Sequence, residues 1–436
     1  MDLTLAFAVF AALMAGSLAC GYSMLWALAA GFAGFMGVGL RRGFALPSLL
    51  RMAWRGVRES LIVVRVMLTI GVLTGLWRAA GTFALLTAWG LRLISPLTFI
   101  LEAFLLSCTL SYALGSSFAT AGTLGVALMT VARSGGVSEL AAAGAILSGI
   151  YFGDRASPAS SCANLVAALT STDLYDNVKL MMRTALLPLL LALGLHTWLS
   201  FRNPMLGGEG AVLTSLNLDF RLSPWCALPA LVMLVLPLFK VKVLHSFGVS
   251  ILCAFFCAVL LQRTGTAGAL RFALMGFHAP EGSVRAIFNG GGLVSMLEIS
   301  AALMISGTYA GIFDGTGILR GLQSRLARAM DALGAYPVTL TLGTLANAVF
   351  CNQTVAVMMT VHVVRHPYEE RDLPPAKLAQ DIANSAVITA GMVPWCIGCS
   401  VPLTMMGAGS GAVPYAPYLY LLPLCYLLTR RRWFRG

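Results

Sequence analysis

The sequence predicts an all-α, polytopic integral membrane protein of about 10–12 transmembrane helices, built as two inverted repeats that each hold a re-entrant helical hairpin and a broken helix. Three observations predict it. Of the 436 residues, 58% are hydrophobic and 11% charged, with a mean hydropathy of +0.84; soluble chains carry about 25% charged residues. Apolar runs close to the ~20 residues that cross a hydrocarbon core follow one another with short loops between them. Polar clusters interrupt these runs at corresponding places in the two halves, as paired discontinuous helices do.

Residues 1–60 read as an entry hairpin and a surface helix. Two apolar runs, 3–19 and 22–40, meet at a short uncharged turn. Met1-Asp2-Leu3 lacks the basic start of a secretory signal, so the first run reads as a retained span. Arg41, Arg42, Arg51, Arg55 and Arg58 then alternate with Leu49, Leu50, Met52, Trp54 and Val57, the pattern of an amphipathic helix lying on a membrane. Arg430, Arg431, Arg432 and Arg435 repeat the charge in a tail at 430–436, within a net charge of +12. By the positive-inside rule both basic segments are cytoplasmic, which puts the C-terminus, and the N-terminus before the entry hairpin, on the inner side of a cell membrane. The expected partners are the lipid bilayer and, at the basic loops, anionic lipids. Nucleic acid is not expected, because the arginines flank spans and form no stripe on a folded domain.

Residues 61–200 form the first repeat. A span at 61–77 holds Arg65 near enough to its end to snorkel, and 78–95 reads equally as crossing or lying flat. From Pro96 to Val131 the chain is apolar, but its centre, Ser111 to Thr123, is rich in Gly, Ser and Thr and uncharged. That reads as a hairpin entering the membrane and turning back near Gly115 to Thr120. Next comes Gly153-Asp154-Arg155-Ala156-Ser157-Pro158-Ala159-Ser160-Ser161-Cys162-Ala163-Asn164, set between apolar runs. Unpaired polar groups at that depth cost several kcal/mol each, so the cluster is expected to line a cavity. Pro158 lacks an N–H and disfavours helix at Ser157, which breaks the helix and frees a new N-terminus.

A polar connection at 201–223 leads to the second repeat, 224–429, with spans near 224–239 and 243–262 and an interfacial segment at 264–279. Charged segments 318–333 and 365–381 flank only 31 residues, too few for two spans and a turn. Residues 334–364 therefore read as a second hairpin with Asn347 to Gln353 at its tip. Aligning Ala127-Leu128-Met129-Thr130-Val131 with Val357-Met358-Met359-Thr360-Val361 gives three identities in five, and Pro158 then falls near Pro394. A last span covers 412–429.

Asp154 is the leading functional candidate, because an ionisable residue at membrane depth is functional by default; the plain alternative is a salt bridge to Arg155. A carboxylate in a poorly hydrated pocket takes either a proton or a small cation, and competition couples their movements. Ser157, Ser160, Asn164, Thr120 and Thr123 offer oxygen ligands, with Ser116 and Ser117 at the first tip. Asn352, Gln353, Asn384 and Ser385 add neutral groups from the second half. Each neutral side chain equally suits a helix–helix hydrogen bond worth under ~1 kcal/mol. Glu298 is a candidate proton carrier. No structural-metal spacing, phosphate loop or nucleophile elbow occurs, so no cofactor is expected and the chain reads as a non-enzyme. Cys396-Ile397-Gly398-Cys399 has C-x-x-C spacing, which keeps a membrane thiol oxidoreductase as a third class.

Gly153-Asp154-Arg155-Ala156-Ser157-Pro158, with Asn164 and Thr172-Asp173-Leu174, resembles the G-D-K-x-S-P-L-S-D-T-T-N and T-D-L pattern of the NhaC-type Na+/H+ antiporter family. Gly115-Ser116-Ser117-Phe118-Ala119-Thr120-Ala121-Gly122-Thr123 is similar to its G-T-S-W-x-T-x-G-T, and Gly291-Gly292-Leu293, Asn352-Gln353 and Val393-Pro394-Trp395 follow in the family's order. The resemblance implies an inverted-repeat transporter of the ion-transporter superfamily, often a homodimer, with a scaffold part and a moving part. It also implies that Na+ and H+ are carried, with transient Na+ near Asp154 and Trp395 beside the site. The chain departs from the pattern at Ser161, Asn352, Ala383-Asn384 and Cys396, where the family has three acidic positions, counting the pair once, and an Asn. Two functions follow: exchange of a monovalent cation for protons at Asp154, or sodium- or proton-coupled transport of a small organic solute, a carboxylate or amino acid, held by tip hydroxyls and half-helix N-termini.

Overall fold

The computed structural model describes residues 2–20, 22–93, 95–158, 160–205, 220–238, 241, 243–279, 289–316 and 323–433. Among these residues every extended element is helical; a single antiparallel bridge joins Phe277 and Gly290. Most of the 201–223 connection and the end of the basic tail lie outside the described residues.

Helices α1 (Asp2–Cys20) and α2 (Met24–Arg41) pack as a hairpin, with the Ser23 hydroxyl capping α2 by accepting from Leu25 N at 3.3 Å. Helix α3 (Leu46–Ala79) begins at Pro47, where a missing N–H leaves nothing unsatisfied. It then runs unbroken for 34 residues. The arginine-rich stretch and the span after it, read separately in the sequence, are one helix, and no proline after Pro47 interrupts it. At ~1.5 Å per residue it is ~50 Å long, well beyond a ~30 Å hydrocarbon core, so its basic end has length to spare outside the lipid.

After α4 (Thr82–Leu93), α5 (Phe99–Leu114) stops at Gly115, whose φ of 63° suits glycine. The chain turns back into α6 (Ser117–Thr120), passes through a wide turn at Ala121–Gly125, and continues as α7 (Val126–Ser134). Helices α8 (Glu139–Ala156) and α9 (Ser161–Thr170) are two pieces parted at Pro158. Asp173 caps α10 (Leu174–Arg202), accepting from Asp176 N at 2.9 Å. The second half holds α11 (Leu228–Leu238), α12 (Val243–Phe256), α13 (Thr266–Met275), α14 (Leu297–Thr316) and α15 (Gln323–Leu333). A hairpin of α16 (Ala335–Phe350) and α17 (Gln353–Glu369) follows, and then α18 (Pro375–Ile382), which runs on into a wide turn at Ala383–Val387. Helices α19 (Ile397–Met405) and α20 (Pro417–Trp433) end the chain.

Among the described residues three helices are long and apolar enough to cross a membrane, Leu174–Arg202, Leu244–Leu261 and Val294–Phe313. Shorter apolar helices include Leu25–Arg41, Phe99–Leu114 and Thr266–Met275. The breaks at the tips and prolines account for part of this, since they divide apolar stretches into pieces shorter than a span.

Glycine sets the closest helix contacts. Gly56 of α3 lies so near α14 that an added Cβ would stand 1.9 Å from the Gly307 carbonyl oxygen. In the middle of the fold α8 is buried along almost its whole length and presses Gly149 and Gly153 against α5, where a Cβ on Gly153 would stand 2.1 Å from the Ser111 carbonyl carbon. Gly153→Ala must therefore push backbone against backbone. Overpacking of this kind costs roughly 1–3 kcal/mol, so the purified variant should melt at a lower temperature. Gly194→Ala on α10, with nothing within 4 Å of the new methyl, should melt like the parent.

Candidate ion and substrate site

The site forms where α8 ends. Ser157 is extended (φ −84°, ψ 137°), as a residue before proline must be, and Ser160 is extended again (φ −70°, ψ 129°) before α9 starts. Three of the expected ligands hold this break together. The Ser157 hydroxyl donates to the Tyr112 carbonyl at 2.6 Å. Ser160 donates to the Asp154 carbonyl and caps α9, accepting from Cys162 N and Ala163 N at 3.1 and 3.2 Å. Asn164 donates to the Pro158 and Ser160 carbonyls at 3.1 and 2.7 Å.

Asp154 is 5% exposed. Gln353 donates from Nε2 to its Oδ2 at 3.1 Å and to the Val387 carbonyl at 2.9 Å, which fixes the amide. Ser117, the first residue of α6, lies beside the same carboxylate, near enough for its N–H and hydroxyl to act on it electrostatically. Ser117 and Gln353 hold the same place in two similar turns. Gly115 (φ 63°, ψ 28°) and Cys351 (φ 54°, ψ 15°) are left-handed; Ser116 (φ −147°, ψ 118°) and Asn352 (φ −142°, ψ 119°) are extended caps. The next residue opens a helix in each case. Ser116 accepts from Ala119 N at 3.2 Å, and Asn352 from Thr354 N and Val355 N at 3.0 and 3.3 Å. Two helix N-termini, each with partial positive charge, thus converge on one acid. Cys351 stands 236 residues after Gly115, the same spacing that separates Pro394 from Pro158.

Arg155 points away from Asp154, and among the described residues neither makes an ion pair with the other. The guanidinium, 1% exposed, donates to the Met181 carbonyl (3.0 Å), the Thr184 hydroxyl (2.8 Å) and Asn384 Oδ1 (2.6 Å). Asn384 is therefore a partner of Arg155, not of Asp154. Thr120, Thr123 and Ser385 bond carbonyls one turn back on their own helices, Ser116, Ala119 and Asp381, at 2.9, 2.7 and 2.5 Å. Trp395 donates to the Ala348 carbonyl at 2.8 Å, and Glu298 lies elsewhere, accepting from Ser23 at 2.5 Å. Cys396 and Cys399 are buried free thiols, and the Cys399 N–H bonds the Cys396 carbonyl at 2.9 Å as the first turn of α19.

Two features escaped the sequence reading. Tyr151 fills the space left by Gly391 and Gly398, one turn before Asp154. Asp381, in a segment read as a charged flank, is fully buried and accepts from Tyr368 and Tyr426 hydroxyls, both at 2.7 Å, with Lys377 Nζ at 3.4 Å. The signal was available in the i, i+4 spacing of Lys377 and Asp381 around apolar Leu378, Ala379 and Ile382.

The stretch that holds this broken helix and the second hairpin has counterparts in sequence. A family profile described as the Na+/H+ antiporter family matches residues 149–429, well over half of the chain. The chain belongs to that family. This antiporter is a secondary-active membrane transporter and not an enzyme, and its cargo is small cations or solutes. It is 27% identical over 394 residues to the malate-2H(+)/Na(+)-lactate antiporter of Bacillus subtilis, covering 88% of this chain and 83% of that one. It is also 27% identical over 394 residues to the arginine/ornithine antiporter ArcD of Halobacterium salinarum, covering 87% and 81%. To the Na(+)/H(+) antiporter NhaC of Alkalihalophilus pseudofirmus it is 25% identical over 398 residues, covering 87% and 85%. The antiporter's match to this last relative extends well before residue 149, so the likeness includes the first hairpin as well as the broken helix.

Proposed function

We propose that this antiporter exchanges a monovalent cation, with sodium the first candidate, for protons at Asp154, and that proton and cation occupy the carboxylate in turn. The observation that carries the proposal is the convergence of Ser117 and Gln353, the leading residues of the two returning helices, on that one acid. A movement of either hairpin changes the donors around the carboxylate and so its relative affinity for the two ions. The matched turns, equal spacing and paired helix breaks support two inverted repeats with re-entrant hairpins within about 10–12 spans. The arginines support a cytoplasmic C-terminus and anionic lipid at α3. A homodimer in the cell membrane is part of the same reading.

A second reading, coupled transport of a small carboxylate or amino acid, is favoured by Arg155, a buried cation bonded to neutral acceptors beside a site with one acid. Relatives named as malate/lactate and arginine/ornithine antiporters fit it. Sealed vesicles carrying the pure protein and a pH-sensitive dye separate the two. Added sodium should dissipate an imposed pH gradient without any organic solute; a response that requires a carboxylate or amino acid selects the second reading. In the same vesicles Gln353→Ala should raise the half-saturating sodium concentration about tenfold, the worth of ~1.4 kcal/mol, because one donor that orients the carboxylate is gone. An unchanged value would remove Gln353 from the site.

A further inference from the structure

A cavity of about 210 Å³ lies where the N-terminal ends of α2 and α14 meet the second hairpin tip and α19. Its polar wall is made by Glu298, Ser306, Ser400 and Thr404, and its apolar wall includes Leu28 and the Trp395 ring. Cys351, two residues before Gln353, also lines it, so the cavity borders the tip that reaches Asp154. Glu298 is exposed to this space; among the described residues it is paired with the Ser23 hydroxyl and with no basic side chain. The Trp395 indole N–H is already committed to Ala348, which holds the ring as a fixed aromatic surface.

A dehydrated metal ion needs a close shell of oxygens and no apolar wall. This cavity has one acid and scattered hydroxyls among aliphatic and aromatic carbon. At ~30 Å³ for each water-sized group it holds a solute of several non-hydrogen atoms. Glu298 and the Trp395 ring both line this space, and a carboxylate with an aromatic surface suits an ammonium group, by charge and by cation–π attraction.

We propose that this cavity binds a small organic solute through an ammonium group, with Glu298 as its counter-ion. The proposal rests on the reading of Asp154 as the exchange site only for the cavity's place as an antechamber; binding itself does not depend on exchange. Such an occupant touches α2 and α14 on one side and the moving tip on the other, so it is placed to affect when the hairpin leaves Asp154.

Equilibrium binding to the purified full chain tests this with two four-carbon probes of opposite charge, putrescine and succinate, and with sodium chloride at matched ionic strength. Putrescine is expected to bind saturably and succinate not to. Glu298→Gln, a near-isosteric change at an exposed position, should weaken putrescine at least tenfold, while Glu298→Asp retains part of the affinity. Ala302→Phe on α14, which takes up cavity volume and leaves the acid in the chain, should also remove binding from protein that elutes as a single folded species. Asp154→Asn should bind putrescine normally, which separates failure here from failure of the exchange site. Succinate binding, no binding of either probe, or putrescine binding that Glu298→Gln leaves intact would overturn the proposal.

Discussion

Asp154→Asn is expected to abolish sodium-driven proton movement, by ~100-fold or more, in protein that still folds. The substitution keeps the size of the side chain and leaves an amide oxygen for Gln353 to donate to, so the tips have no steric reason to separate. What disappears is the charge. A neutral amide neither holds a proton reversibly near neutral pH nor attracts a cation, and a charged hydrogen bond is worth ~1.5–3 kcal/mol where a neutral one is worth about half that. A 100-fold loss corresponds to ~2.7 kcal/mol, within what one such bond and the cation contact supply. Flux measured with the pH dye in vesicles checks it; a variant that exchanges at the parent rate would mean the ions pass elsewhere.

Arg155→Met is the second large effect, and its two parts have opposite signs. A buried guanidinium with neutral acceptors alone pays for desolvation that no anion repays, and apolar residues of similar volume often stabilise when they replace buried charge. Against this, Asn384 Oδ1 loses its donor at a cost of ~1–3 kcal/mol. Desolvation of a full charge is the larger quantity, so the melting temperature of the variant should be no lower than the parent's. Transport should nevertheless fall about tenfold or more. Arg155 ties α8, the helix that carries Asp154, to α10 and to the turn at 383–387, so its loss frees the end of α8 that positions the acid. Arg155→Lys, which keeps the charge, should keep most of the rate. A variant with lowered stability and normal rate would reduce Arg155 to a structural tie.

The parts legible in the sequence were those governed by local backbone chemistry. Pro158 disfavours helix at the residue before it, and α8 does end there although α10 continues through Pro188; Gly115 and Asn352 mark turns, and an acid between apolar runs has few places to go. The convergence of Ser117 and Gln353 on Asp154 was visible only as membership in two tips, since nothing local says which tip residue faces the acid. The sequence does not show that Thr120, Thr123 and Ser385 have carbonyls within reach on their own helices, where a helical Thr or Ser donates its hydroxyl proton and keeps its oxygen lone pairs. Asp381 was missed for the opposite reason. Charge density along 365–381 suggests solvent, whereas burial there is decided by tyrosines 13 residues before and 45 residues after it in the chain. The unity of α3 was hidden by its change from amphipathic to apolar, which alters what the helix faces and not whether it continues.

Whether one carboxylate serves proton and cation by turns is tested, without vesicles or gradients, by sodium-induced proton release from the purified, lightly buffered protein. Added sodium should acidify the solution saturably, the release should shrink as the starting pH rises and Asp154 is already unprotonated, and Asp154→Asn should release nothing. Sodium binding with no proton released at any pH, or an equal release from Asp154→Asn, would contradict the account.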